Sequence, residues 1–126
     1  MAIAPGMGGS VTISVEDVDT ATAMRSGDVP VLATPRLVAL AEQATVEAVA
    51  DALEPGTTTV GSEVQLTHLA PSPIGSKVTA DVVLVTVEGR RLVFRVSVTD
   101  ARGLVAVGRI TRVVVQRNRF IERATG

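Results

Sequence analysis

Two ionisable residues of this chain lie in predicted apolar surroundings, where such groups are rare. Glu42 follows Val38 by one helical turn in a long segment without Gly or Pro, so it shares a predicted helix face with apolar side chains. Alternation along the next predicted strand puts His68 on the same face as Val64 and Leu66. A charge or an imidazole on such a face is costly unless it is paired or functional. Both residues are therefore candidates for chemistry.

A hydroxyl group completes a candidate hydrolytic set. Thr34 precedes Pro35 at the start of the predicted helix that carries Glu42. A hydroxyl, a carboxylate and an imidazole are the parts of a site in which a base activates a nucleophile. Each residue also has an ordinary explanation that the sequence leaves open. Thr34 would cap the helix, Glu42 would reach water at the edge of the apolar stripe, and His68 would be a hydrogen-bonded core residue.

Metal-ligating and thiol side chains are scarce, since the chain has one His and no Cys. We therefore expect neither a metal site nor another cofactor. Arg112 is a further candidate because it interrupts a Val-rich strand, where a guanidinium should have a partner. The alternative is an arginine at the strand edge that faces solvent.

The composition favours a small globular protein that binds neither membranes nor nucleic acid. Apolar residues make up 46% of the 126 residues, Val and Ala dominate them, and the net charge is −1. No run of 18 apolar residues is present, and residues 1–10 lack the basic charge of a secretory signal, so we expect a cytoplasmic protein. The arginines near the C-terminus are interpreted as a solvated tail rather than as a nucleic-acid patch.

The order of predicted elements is a strand, a long helix and four strands. The helix begins at Thr34-Pro35 and ends before Glu54-Pro55-Gly56, and its apolar stripe is built mostly from Ala, which would let a sheet approach closely. Short turns separate the later strands, so these strands should pair antiparallel. The predicted strands are 11–16, 57–69, 76–87, 91–99 and 104–116.

This order predicts the α+β class with a hotdog arrangement, in which a curved antiparallel sheet of about five strands wraps around one long central helix. Another two-layer α+β fold is the alternative. We expect a single domain over residues 1–126, with flexible tails at 1–10 and 117–126.

Several short motifs resemble the fluoroacetyl-CoA thioesterase family of hotdog proteins. They are Ala33-Thr34, Leu40-Ala41-Glu42, Leu53-Glu54-Pro55-Gly56, the stretch from Gly61 to Thr67-His68, Val87-Glu88-Gly89-Arg90-Arg91-Leu92 and Arg95-Val96-Ser97. The resemblance covers about residues 29–115 without a gap, and the spacing from Thr34 to Glu42 to His68 is its specific part.

The resemblance implies a thioesterase that hydrolyses a short or modified acyl-CoA, built as a homodimer with active sites near the subunit interface. By this resemblance Thr34, Glu42 and His68 are catalytic, and Gly61 and Arg112 contact the substrate. The CoA phosphates would need cations, for which Lys77, Arg90 and Arg91 are candidates.

The chain departs from the family before the helix. The fluoroacetate-specific member has a lid that carries Phe there, whereas residues 25–28 contain no aromatic side chain, so we expect no strong fluoroacetyl preference. Two other functions stay open. One is a non-catalytic protein that binds acyl-CoA or another small molecule. The other is a hotdog hydratase. Such enzymes usually pair Asp with His on the helix, whereas this helix has no His and no Asp before Asp51.

Overall fold

The computed structural model describes residues 3–126. A short 3-10 turn at 17–19 precedes the first helix, and another at 50–52 follows the second. The elements in chain order are β1 (Gly8–Ser14), α1 (Ala21–Met24), α2 (Thr34–Val49), β2 (Thr57–His68), β3 (Lys77–Glu88), β4 (Arg91–Asp100), β5 (Gly103–Gln116) and α3 (Arg117–Thr125).

The five strands form one antiparallel sheet in the order β1-β3-β4-β5-β2. The consecutive strands β3, β4 and β5 are neighbours, as their short turns predict. β2 returns to pair with β5, and a bulge between Gly61 and Glu63 interrupts this pairing. Because β2 has no second neighbour among residues 3–126, it forms one edge of the sheet over 12 residues.

Helix α2 packs on the sheet mainly against β1 and β3. Leu37, Ala41 and Ala44 on its inner stripe are fully buried. A Cβ atom on Gly9 of β1 would collide with the carbonyl oxygen of Ala44 and lie 3.0 Å from the backbone nitrogen of Ala48. The small side chains of the helix stripe therefore permit the close approach of the strand, as the sequence predicts.

The predicted α+β arrangement of one long helix and a five-stranded antiparallel sheet is confirmed. Several boundaries differ from the prediction. β1 begins at Gly8, so it includes the last three residues of the predicted tail at 1–10. α2 ends at Val49 because residues 50–52 tighten into a 3-10 turn. The predicted tail at 117–126 contains α3, whose first turn is fixed where the Gln116 side chain accepts a hydrogen bond from the Arg119 N–H at 2.8 Å.

Candidate active site

The start of α2 and the end of β2 bring a hydroxyl group against an imidazole. Thr34 is the first helical residue and does not cap the helix; the N-cap is Ala33, whose carbonyl accepts from the Leu37 N–H at 3.0 Å. The predicted capping role of Thr34 is therefore wrong. Its Oγ1 atom instead lies 2.8 Å from Nδ1 of His68. A hydroxyl and an imidazole at hydrogen-bonding distance are the arrangement in which a base can activate a nucleophile.

The environment of His68 favours the neutral imidazole. The residue is half-buried, and this burial lowers its pKa from the ordinary value, while the Ala70 backbone acts more weakly in the opposite direction. A neutral imidazole can accept a proton at physiological pH. The second ring nitrogen, Nε2, is buried and has no hydrogen-bond partner among residues 3–126.

Glu42 and Arg112 form a second polar group, centred on the middle of β2. Arg112 is buried on the helix side of the sheet, so the alternative of a solvent-facing arginine is wrong. Its Nη1 atom donates to Oε2 of Glu42 at 3.2 Å, and its Nε and Nη2 atoms donate to the hydroxyl and carbonyl oxygens of Thr59 at 2.9 Å each. Burial lowers the pKa of Arg112, and the negative charge of Glu42 opposes that shift. The Glu42 side chain is 35% exposed, so the carboxylate is held by Arg112 and still reaches the surface.

Gly61 makes room for the Glu42 carboxylate. Gly61 lies opposite Arg112 in the β2–β5 pairing, just before the bulge. A Cβ atom at this position would collide with Oε2 of Glu42 and lie 3.4 Å from Nη1 of Arg112. The absence of a side chain at this position is therefore what lets the carboxylate rest against the β2 backbone.

The structure thus brings the five predicted site residues into two groups. Thr34 and His68 form one, and Glu42, Gly61 and Arg112 form the other. Thr34 and Glu42 are eight positions apart on α2, which corresponds to a rise of about 12 Å along the helix axis. No hydrogen bond joins the two groups within the part of the chain described here, 3–126.

Thr59 was not predicted as a member of the site. It lies in a run of three threonines at the start of β2, and such a run is typical of any strand. Its contact with Arg112 depends on the pairing of β2 with β5, in which Thr59 lies opposite Val114 and Gly61 opposite Arg112. No pattern in the sequence indicates this register.

A pocket of about 360 Å³ lies beside the Thr34–His68 pair. Its wall includes residues 26–29 from the segment before the helix, the apolar side chains of Val31 and Leu32, and residues 69–71 after His68. No aromatic side chain lines it.

No group of three or more His, Cys, Asp or Glu side chains within residues 3–126 is arranged to hold a metal ion. No helix within these residues is long and apolar enough to cross a membrane.

The chain is similar in sequence to a characterised enzyme. The family model described as "Fluoroacetyl-CoA-specific thioesterase" matches residues 15–118. The fluoroacetyl-CoA thioesterase of Streptantibioticus cattleyicolor is 41% identical over 90 residues, which are 71% of this chain and 65% of that protein. The matched region thus spans slightly less than two thirds of the relative.

Solved structures extend the similarity over almost the whole chain. The structure of the fluoroacetyl-CoA thioesterase FlK has 31% sequence identity and a TM-score of 0.91, with 99% of this chain and 97% of that chain covered. A hot-dog-like protein from Thermanaerovibrio acidaminovorans has 29% identity and a TM-score of 0.87, with 95% and 89% covered. These similarities confirm the predicted hotdog fold. Because the family model matches residues 15–118, which are most of its length, this chain belongs to the fluoroacetyl-CoA-specific thioesterase family.

Proposed function

We propose that this protein is a thioesterase that hydrolyses a short or modified acyl-CoA at a site built from Thr34, Glu42 and His68. The observation that carries the proposal is the 2.8 Å contact between Thr34 Oγ1 and His68 Nδ1 at the wall of a pocket. Membership of a thioesterase family supports this assignment. The relatives' names identify acyl-CoA as the class of substrate.

The unpaired Nε2 atom of His68 indicates that the site is incomplete in one subunit. If the Thr34 hydroxyl donates to Nδ1, then Nε2 carries the proton and needs an acceptor. Leaving such a buried donor unpaired costs about 1–3 kcal/mol. Glu42 is the partly exposed carboxylate of the site. Within one subunit, however, Glu42 is eight positions along α2 from Thr34 and does not reach His68. A second copy of the chain is the simplest source of the acceptor.

The free edge of β2 supports a homodimer with this geometry. The strand leaves one row of backbone hydrogen-bonding groups without a strand partner in the described part of the chain, and such edges pair readily with a second strand. Val64 on this strand and Val46, one turn beyond Glu42 on α2, are 39% and 44% exposed. A two-fold axis at Gln65 would place Gly61 opposite the partner subunit's His68, because Ser62 is the extra residue of the bulge and takes no place in the pairing. His68 would then meet Glu42 of the partner subunit.

The proposed reaction follows from this arrangement. His68 removes a proton from the attacking oxygen, which belongs to Thr34 or to a water held by Thr34, and this oxygen bonds to the thioester carbonyl carbon. The carbon–sulfur bond then breaks, and the proton passes from His68 to the leaving thiolate of CoA. If Thr34 attacks, water releases the acyl group in a second, equivalent step. The backbone N–H of the partner subunit's Gly61 would stabilise the oxyanion by about 3 kcal/mol.

A panel of acyl-CoA thioesters tests the proposal. We expect release of free CoA, detected by a thiol reagent, and a loss of about two to four orders of magnitude in kcat for His68→Ala, the usual contribution of a positioned general base. A core histidine would instead affect stability, so thermal melting of the same variant is the control. Binding without turnover across the panel would favour the non-catalytic acyl-CoA-binding protein.

A further inference from the structure

The pocket beside Thr34 and His68, here the acyl pocket, contains one acidic side chain. Asp28 lies in its wall, within the segment 26–29 that precedes α2. The other polar side chains that line it are the hydroxyl groups of Ser26 and Thr34 and the imidazole of His68, whose pKa burial lowers. None of residues 3–126 that line the acyl pocket is a lysine or an arginine. The wall therefore carries a negative charge and no fixed positive one.

The Asp28 carboxylate has no counter-charge in the described part of the chain. Its side chain is exposed and forms no ion pair and no hydrogen bond with any of residues 3–126. Asp19, in the same connection between β1 and α2, behaves differently, since it is buried, pairs with Nε of Arg36 at 2.9 Å and accepts from the Glu16 N–H at 2.8 Å. The carboxylate of Asp19 thus serves the fold, whereas that of Asp28 can receive a group of a ligand.

The backbone fixes the part of the wall that carries Asp28. On one side of Asp28, the Ser26 N–H donates to the Ala21 carbonyl at 2.9 Å. On the other side, the Val31 carbonyl accepts from the Ala21 N–H at 2.9 Å. Both ends of the segment 26–31 are therefore tied to Ala21, the first residue of α1. A carboxylate on such a short, anchored turn is held in place before a ligand arrives, which lowers the entropic cost of binding.

We propose that Asp28 determines the specificity of the enzyme by selecting acyl groups that carry a hydrogen-bond donor, either an ammonium or a hydroxyl group, and by disfavouring acyl groups that end in a carboxylate. The inference rests on the proposed function, because a thioester carbonyl attacked at Thr34 and His68 directs its acyl chain into this pocket. An ionised acceptor binds an N–H or O–H donor more strongly than a neutral acceptor does. A second negative charge in the same pocket would be repelled.

Acyl-CoA thioesters of equal chain length test this inference. β-Alanyl-, 3-hydroxypropionyl- and butyryl-CoA differ only in a terminal ammonium, hydroxyl or methyl group, and malonyl-CoA ends in a carboxylate. For the wild type we expect kcat/KM to be about fivefold or more higher with each of the two donors than with butyryl-CoA, and lower with malonyl-CoA than with butyryl-CoA. Values for butyryl-CoA or malonyl-CoA that equal or exceed those of both donors would overturn the inference.

Two substitutions of Asp28 separate its charge from its hydrogen bonding. Asp28→Asn removes the charge but keeps an oxygen that accepts a hydrogen bond. The ratio of kcat/KM for β-alanyl-CoA to that for butyryl-CoA should therefore fall about fivefold, while the ratio for 3-hydroxypropionyl-CoA should fall less. Asp28→Ala should lower both ratios. The matched control is Asp17→Asn, an exposed carboxylate outside the pocket, which should leave both ratios unchanged. Unchanged ratios in Asp28→Ala, or an equal fall in Asp17→Asn, would contradict the assignment.

Binding of analogues that cannot be hydrolysed separates this inference from the proposed function. Thioethers of CoA, in which a methylene group stands between the sulfur and the carbonyl, can carry the same ammonium, hydroxyl and methyl ends and be measured by calorimetry. If the wild type binds the ammonium analogue more tightly than the methyl analogue, Asp28→Ala does not, and no thioester is hydrolysed, the hydrolase is refuted and the selective pocket is retained. Hydrolysis of the three thioesters of equal length with the same kcat/KM would retain the hydrolase and refute the role of Asp28.

Discussion

Replacing Gly61 with Ala should disable the site without unfolding the protein. The new Cβ atom would occupy space now taken by Oε2 of Glu42, so the carboxylate must retreat by about 1 Å, and a misplacement of that size costs roughly 100-fold in rate. The atom that must move is the end of a flexible side chain. Gly61 is also absent from the glycines with positive φ, so Ala fits its backbone conformation. We therefore expect the free energy of unfolding to change by less than about 1 kcal/mol.

The assay is kcat for the best acyl-CoA of the panel, measured beside the unfolding free energy in urea. Gly8→Ala is the matched control, because its Cβ would lie 3.1 Å from the Val82 carbonyl oxygen at the other edge of the sheet. That variant should lose some stability and keep its kcat. Wild-type kcat in Gly61→Ala would refute the reasoning, because the exact position of Glu42 would then be irrelevant to the rate.

Three further results are expected. Thr34→Ala should lose most activity at an unchanged melting temperature, whereas Thr34→Ser should retain part of the activity. The reason is that the Thr34 hydroxyl contacts His68 and does not cap α2. Equal activity in the two variants would contradict this prediction. Proton NMR of the single histidine should give a lower pKa in Glu42→Gln than in the wild type. Burial lowers the pKa of His68, and in the proposed dimer the carboxylate of the partner subunit would oppose that shift. In that variant the folded state binds its proton more weakly than the unfolded state, so stability should fall as the pH drops below 6.5. The kcat/KM for fluoroacetyl-CoA should not greatly exceed that for acetyl-CoA. The pocket beside Thr34 and His68 has no aromatic side chain, and a plain hydrophobic pocket discriminates one small substituent by only about 1–3 kcal/mol. A preference of about a thousandfold for fluoroacetyl-CoA would exclude this interpretation.

The fold was predictable because local patterns agree with it. The apolar alternation after Gly56 and the short turns at 89–90 and 101–102 predict antiparallel neighbours, and the Ala stripe predicts the close approach of β1 to α2. The first residue of α2, Thr34, was predicted correctly, but its predicted role as the N-cap was wrong. Thr is a good N-cap in isolation, whereas here a tertiary contact with His68 uses the hydroxyl.

The arrangement of the site depends on contacts distant in the chain. Arg112 and Thr59 are 53 residues apart, and their contact arises because β2 pairs with β5 in a register that places Gly61 opposite Arg112. The pocket that α3 forms with the β3–β4 hairpin was missed for a similar reason, since residues 117–126 were interpreted as a solvated tail. Only the folded chain shows that α3 places its arginines beside Arg90 of a distant hairpin.

Subunit complementation tests the central claim, a thioesterase site shared between two subunits. Glu42→Gln and His68→Ala each inactivate both sites of their own homodimer, but a mixed dimer has one intact site that combines His68 of one subunit with Glu42 of the other. After equal amounts of the two variants are unfolded and refolded together, statistical pairing predicts recovery of about a quarter of the wild-type acyl-CoA hydrolysis. No recovery, in mixtures shown by mass spectrometry to contain the mixed dimer, would contradict the account.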